Sequence, residues 1–224
     1  MNIVVDNVTK TFGNTNVIED ISMEMRSGHV YGFQGINGCG KTMLMRLISG
    51  LIHPTKGQIL IDGEALHGEN SFPKSMGLLI ENPAFLNSYS GYQNLEMLAS
   101  ISGKIGKEEV VLALERVGLS ENASKKYGKY SLGMRQRLGI ACAIMERPEL
   151  ILLDEPFISL DEAAIDLVAD IIRQEKERGA LIILACHDYG YLSKASDEIF
   201  KLVGGKLAHH LIKGENDVFS EVSQ

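Results

Sequence analysis

Gly35-Ile36-Asn37-Gly38-Cys39-Gly40-Lys41-Thr42 is the stretch on which the fold turns. It has the form GxxxxGK[ST]. Glycines let the backbone curl around an anion and aim its N–H groups inward, the lysine brings charge to β and γ phosphates, and the threonine offers a hydroxyl to Mg²⁺. The residues in front of it, Val30-Tyr31-Gly32-Phe33-Gln34, read as a short buried strand. Behind it, Met43, Leu44, Leu47 and Ile48 fall at helical spacing, and Ser49-Gly50 supplies a stop. Strand, glycine loop and helix in that order predict a phosphate-binding loop for ATP or GTP.

A partner for this loop comes much later. Leu150-Ile151-Leu152-Leu153-Asp154-Glu155-Pro156 is an apolar strand ending in two carboxylates. Such an end can hold Mg²⁺ through Asp154 while Glu155 orients and deprotonates a water. A strand ending in Asp-Glu is commonly no more than a solvated edge. In the company of Lys41 it reads as the second half of a nucleotide-hydrolysing site.

Outward from these two elements the pattern is α/β. Residues 3–8 and 17–25 alternate apolar and polar positions around Gly13, as half-buried antiparallel strands do. Residues 57–62 and 76–80 read as further strands, with Asp62-Gly63 a turn. From 82 to 146 the character changes to helix, with stretches at 93–101 and 107–117 separated by glycines. A strand at 180–186 follows a helix at 162–178 that Asp161 would cap and Gly179 would end. A hairpin of 198–203 and 206–212 closes the folded part. The expected division is one domain over 1–213, with a core of 1–81 and 147–213, a helical insert of 82–146 and a fraying polar tail of 214–224.

Composition narrows the function classes. The 224 residues carry 22 Lys and Arg against 29 Asp and Glu, a net charge of −7, which argues against nucleic acid as a partner. The longest apolar stretches, 138–145 and 180–186, are far too short to cross a bilayer. The first residues lack the basic, apolar and small-residue pattern of a secretory leader, so a cytoplasmic chain is expected. Cys39, Cys142 and Cys186 have no CxxC spacing, and reduced thiols are expected rather than a disulfide or zinc framework.

Between the glycine loop and the acidic strand lies Tyr130-Ser131-Leu132-Gly133-Met134-Arg135-Gln136-Arg137-Leu138. With it the sequence resembles the ATP-binding cassette (ABC) ATPases, whose signature is LSGGQ followed by a basic stretch, and the resemblance covers nearly the whole chain. It implies an α/β fold: a P-loop NTPase core (RecA-like), an N-terminal antiparallel β subdomain and an inserted α-helical subdomain. It also implies that Phe12 stacks on adenine and that Gly35, Ile36, Asn37, Gly38, Cys39, Gly40, Lys41, Thr42 and Met43 hold the phosphates. Mg²⁺ would rest on Thr42, Asp154 and Glu81. Lys41, Glu155 as general base and His187 as switch histidine would be catalytic. Ser131, Gly133 and Asp161, the last in the D-loop Ser159-Leu160-Asp161, would complete the site of a second subunit. Partners by resemblance are another cassette, identical or paired, and a separate transmembrane permease on whose cytoplasmic face the chain sits.

Each assignment has a plainer rival. Ser131 suits a helix cap for 132–145, Phe12 suits core packing, and His187 suits a strand-end surface position. Departures from the family pattern sharpen the reading. Leu132 and Met134 replace the first glycine and the glutamine of the signature, Met43 stands where a hydroxyl is common, and Glu81 stands where most members have the Q-loop glutamine. The signature together with Glu81 is similar to cassettes that handle bacitracin and lantibiotic-type peptides. The alternative is a soluble ABC-type ATPase serving assembly, such as that of iron–sulfur clusters. Cys39, beside Lys41 and a helix N-terminus, is expected as a reactive thiolate whose alkylation blocks nucleotide binding, against the plainer role of a small filler. Leu95 and Leu98 are expected in the core of the insert, and Phe85 and Tyr89 in a groove for a permease helix.

Overall fold

The computed structural model describes residues 1–66, 72–81, 83–214 and 216–222. Asn82, where the helical insert was expected to begin, lies outside them. The chain opens with β1 (Asn2–Phe12) and β2 (Thr15–Arg26), a long antiparallel pair. These join β4 (Lys56–Ile61) and β5 (Glu64–Ala65) in a four-stranded sheet of order β2-β1-β4-β5. The second sheet contains β3 (Val30–Gln34), β6 (Met76–Leu79), β7 (Leu150–Asp154), β8 (Leu181–Cys186), β9 (Glu198–Val203), β10 (Lys206–Lys213) and β11 (Phe219–Glu221). Its order is β11-β10-β9-β3-β8-β7-β6, and β9, β3, β8, β7 and β6 run parallel.

The helices are α1 (Lys41–Ile48), α2 (Gly91–Ser102), α3 (Lys107–Arg116), α4 (Leu132–Ile144), α5 (Glu162–Glu177) and α6 (Tyr189–Ala195). Local chemistry sets their starts. Ser90 and Gln93 form a capping box on α2, Ser131 accepts from the Met134 N–H, and Asp161 accepts from the Ala164 N–H. Gly103 ends α2 in the left-handed region, as a C-terminal glycine commonly does.

The central parallel strands β7 and β8 are buried on both faces, which is why they read as unbroken apolar runs. Alternate side chains serve two cores. Leu150 and Leu152 of β7, with Leu181 and Ile183 of β8, pack toward α1 and the antiparallel sheet. Ile151 and Leu153, with Ile182 and Leu184, pack toward helices α2 to α6. Each such side chain contributes about 1.5–3 kcal/mol. Close approach of α4 to β6 requires glycine at position 77, where a Cβ would run into the Ala143 carbonyl, and it brings Leu79 Cδ1 to within 2.8 Å of where a Cβ on Gly139 would lie.

Two expectations give way to the structure, and one element was unannounced. Leu98 is solvent-exposed and Leu95 alone of that pair is core, because α2 turns one side to solvent. The tail does not simply fray: Phe219–Glu221 adds a strand antiparallel to β10, and the Phe219 ring sits 6.4 Å from that of Tyr189. Finally, the residues after His187 form helix α6, capped by Asp188, which two tyrosines and a glycine within seven residues had hidden.

Candidate active site

The glycine loop joins the end of β3 to the start of α1. Gly40 sits at φ 111°, where a side chain would be strained, and a Cβ there would lie 2.8 Å from Ile18 Cδ1. The first backbone bond into α1 runs from the Leu44 N–H to Gly40 O at 2.9 Å. The N–H groups of Lys41, Thr42 and Met43 therefore have no partner within the helix and point out of its positive end. Lys41 is buried, and its ammonium donates to Gly35 O at 2.7 Å, so the loop is folded around its own cation.

Strand register brings the acids to the same place. Asp154, in step with Leu150 and Leu152, faces α1, and Thr42 Oγ1 donates to its Oδ2 at 2.6 Å. Burial, more than any neighbour, pushes the Asp154 carboxyl up from its usual range; the Thr42 hydrogen bond pulls it down and the charge of Glu155 adds to the rise. Glu155 turns into the left-handed region at φ 48°, its N–H tied to Ala185 O at 2.8 Å. Its carboxylate lies 3.9 Å from Lys41 Nζ and accepts from the His187 backbone N–H at 3.2 Å. His187 Nδ1 lies 3.0 and 2.9 Å from the two carboxylate oxygens. The Cys186 thiol lies in the same cluster, buried and pushed up to about 12, chiefly by that burial.

Lys41, Thr42, Met43, Asn37, Gly38, Gly40, Glu81, Asp154 and Glu155 all line one cleft of about 680 Å³. Phe12 does not line it; the ring is half-exposed at the end of β1, 5.1 Å from Lys10 Nζ, while its hairpin partner Thr15 is on the cleft wall. Ser131, Gly133 and Asp161 are likewise absent from the cleft and share a separate hollow with Ser159 and Leu160. Gly133 is needed there, because a Cβ would meet Ser159 O at 2.8 Å. Cys39 is almost fully buried among Phe33, Leu44 and Leu202 in the core beneath the loop. That corrects the expectation of a reactive thiolate: the small side chain fills space, and a reagent would first have to open the loop. Phe85 packs edge-on against Tyr127 at 5.3 Å, whereas Tyr89 and Leu86 are exposed.

Two residues escaped the sequence reading. Gln136, buried on α4, donates to Glu155 O at 3.0 Å and so ties the signature helix to the backbone of the acid pair. Its position in the basic stretch after the signature was visible, but not its target 19 residues away. Arg46 on α1 donates to the Glu81 carboxylate at 2.5 Å, a pairing across 35 residues that no local pattern announces.

The Thr42 hydroxyl and the Asp154 and Glu81 carboxylates are oxygen donors lining one cleft, the kind that a hard divalent cation prefers, so the residues present fit Mg²⁺. A family model described as ABC transporter matches residues 18–158. The chain belongs to the ABC transporter family. It is 45% identical over 201 residues to the uncharacterized ABC transporter ATP-binding protein YybJ of Bacillus subtilis (strain 168), covering 90% of this chain and 92% of that one. It is 36% identical to the bacitracin transport ATP-binding protein BcrA of Enterococcus faecalis, covering 92% of this chain and 70% of BcrA. Among solved structures, an ATP-binding subunit of an ABC transporter superposes with a TM-score of 0.84 at 26% identity, over 94% of this chain and 89% of its own. The fold of this ABC chain is that of the family's ATPase domain. No helix among the described residues is long and apolar enough to cross a membrane.

Proposed function

We propose that this chain binds and hydrolyses ATP, pairs with a second cassette, and drives a separate membrane permease that moves an antimicrobial peptide of the bacitracin or lantibiotic type. The observation that carries the chemistry is the Glu155 carboxylate, held between the His187 imidazole and the Lys41 ammonium on the wall of the phosphate-loop cleft. In this reading the N–H groups of residues 35–43 cradle the phosphates and Lys41 leaves its loop carbonyls to meet them. Phe12 takes the adenine ring by stacking. Thr42, Asp154 and Glu81 would hold Mg²⁺, which when bound offsets phosphate charge. Glu155, fixed by His187 and Gln136, accepts a proton from the attacking water, and His187 stabilises charge on the γ phosphate.

Support for a pair of cassettes comes from the division of the site. The hollow formed by Ser131, Gly133 and Asp161 is distinct from the cleft that holds Lys41 and Glu155. A second subunit turned head to tail would bring its hollow over the first subunit's cleft. The cargo class rests on the likeness to BcrA and on Glu81, and the location follows as the inner face of the cell membrane, docked on the permease.

Glu155→Gln tests this reading. Turnover is expected to fall about 10²–10⁴-fold while ATP binding persists and a stable ATP-bound dimer accumulates in size-exclusion chromatography. Undiminished ATPase activity in that variant would sink the assignment of Glu155. For the cargo, co-expression with a permease that co-purifies with this chain is expected to raise bacitracin or lantibiotic tolerance.

A further inference from the structure

We propose that Arg46 is a positioning residue for the nucleotide site, the counter-ion that makes an acidic residue at position 81 compatible with a polyanionic ligand. This rests on the reading of the cleft as an ATP site. Among the described residues, three carboxylates, those of Glu81, Asp154 and Glu155, and one ammonium, that of Lys41, line the cleft. That surplus of negative charge works against a nucleotide carrying several negative charges of its own. Arg46 answers the charge of Glu81 by direct contact, with Nη2 2.5 Å from Oε1.

The pairing is built into the scaffold. Arg46 lies four residues after Thr42 on α1, so the helix face that gives Thr42 to Asp154 gives Arg46 to Glu81. On the other side, β6 and β7 are in parallel register with Leu79 opposite Leu153. Glu81 and Glu155 therefore follow their strands at the same height, and both have φ in the left-handed region, at 59° and 48°. One helix thus services two adjacent strand ends through a hydroxyl and a guanidinium. With the amide that most family members carry at position 81 there would be no charge for Arg46 to answer.

The test uses the full chain as wild type, Arg46→Ala, Arg46→Lys, Glu81→Gln and the Arg46→Ala/Glu81→Gln double variant. Binding of a fluorescent N-methylanthraniloyl ATP is measured with EDTA and with excess Mg²⁺. Arg46→Ala is expected to weaken binding about three- to tenfold in EDTA, with most of the loss recovered in Mg²⁺, because an exposed pair has modest strength and a freed carboxylate repels phosphate. Arg46→Lys keeps the charge and is expected to stay within about twofold of wild type. In the Glu81→Gln background, Arg46→Ala is expected to change binding by less than about twofold. Equal losses from Arg46→Ala in both backgrounds would overturn the proposal, since Arg46 would then act on the phosphates or on the helix itself. No nucleotide binding by the wild-type chain would overturn the ATP reading together with it.

Discussion

Glu175 offers the most demanding check on how the helices are held to the sheet. Its side chain is almost fully buried on α5 and receives two arginines: Arg116 from α3 at 2.6 Å, and Arg178, whose Nε and Nη2 lie at 2.8 and 2.5 Å. Replacing Glu175 by Ala leaves two guanidinium groups facing a hole with no counter-charge, and breaking a buried pair in this way costs about 3–5 kcal/mol. Here the lower end applies, because Arg178 keeps Pro148 O at 2.6 Å and Arg116 keeps Gln174 Oε1 at 3.2 Å. A loss of about 3 kcal/mol in a chain of this size lowers Tm by about 6–12 °C. Arg173→Ala supplies the control, since it breaks only the exposed Arg173–Asp170 pair of the same helix, worth about 0–1 kcal/mol. Calorimetric melting of both variants decides the matter. A Tm for Glu175→Ala no lower than that for Arg173→Ala would refute the reasoning, and with it the view that this triad joins α3 to α5.

Further expectations concern the site and its supports. Asp154 is raised by burial, so its ionised form costs the folded protein stability at neutral pH, a cost that fades as pH falls through its folded value. Without nucleotide, Asp154→Asn should therefore melt above wild type at pH 7.5, with a smaller gap at low pH, while losing the extra stabilisation that Mg²⁺ gives to ATP. Cys142 is pushed up to about 11 and Cys186 to about 12, both chiefly by burial, and Cys39 is buried in the core. A colourimetric thiol reagent at pH 8 should thus find no fast-reacting group in the native chain and three after denaturation; a rapid native reaction would contradict the burial of Cys39. Gly139→Ala gains helix propensity but presses on Leu79 and the Pro83 ring, and should cost about 1–2 kcal/mol by urea unfolding.

What could be read in the sequence was what is local. The glycine loop, the apolar strand with its terminal acids, the caps at Ser131 and Asp161 and the turn at Asp62-Gly63 each carry their signal within a few residues, and each stands where it was expected. Long-range pairing left no such trace. Arg46 looks like a solvated charge until α1 brings it against Glu81, and Glu175 looks like the polar face of an amphipathic helix. Cys39 shows the same limit: its sequence neighbours are a lysine and glycines, while the buried cluster it joins draws on β3, α1 and β9. The strand at Phe219–Glu221 is short and polar, and exists because β10 presents an open edge to it.

The five residues of β7 carry two obligations at once. Leu150 and Leu152 belong to one core, Ile151 and Leu153 to the other, and the strand then delivers Asp154 and Glu155 to the cleft. Displacement of any of the four by a misfit on either face is passed along a stiff extended backbone to the two carboxylates. Sequence drift in this strand is thereby penalised three times over, once by each core and once by the reaction. Its tolerance to substitution should be the narrowest in the chain, and changes that elsewhere would alter only abundance should here alter turnover as well.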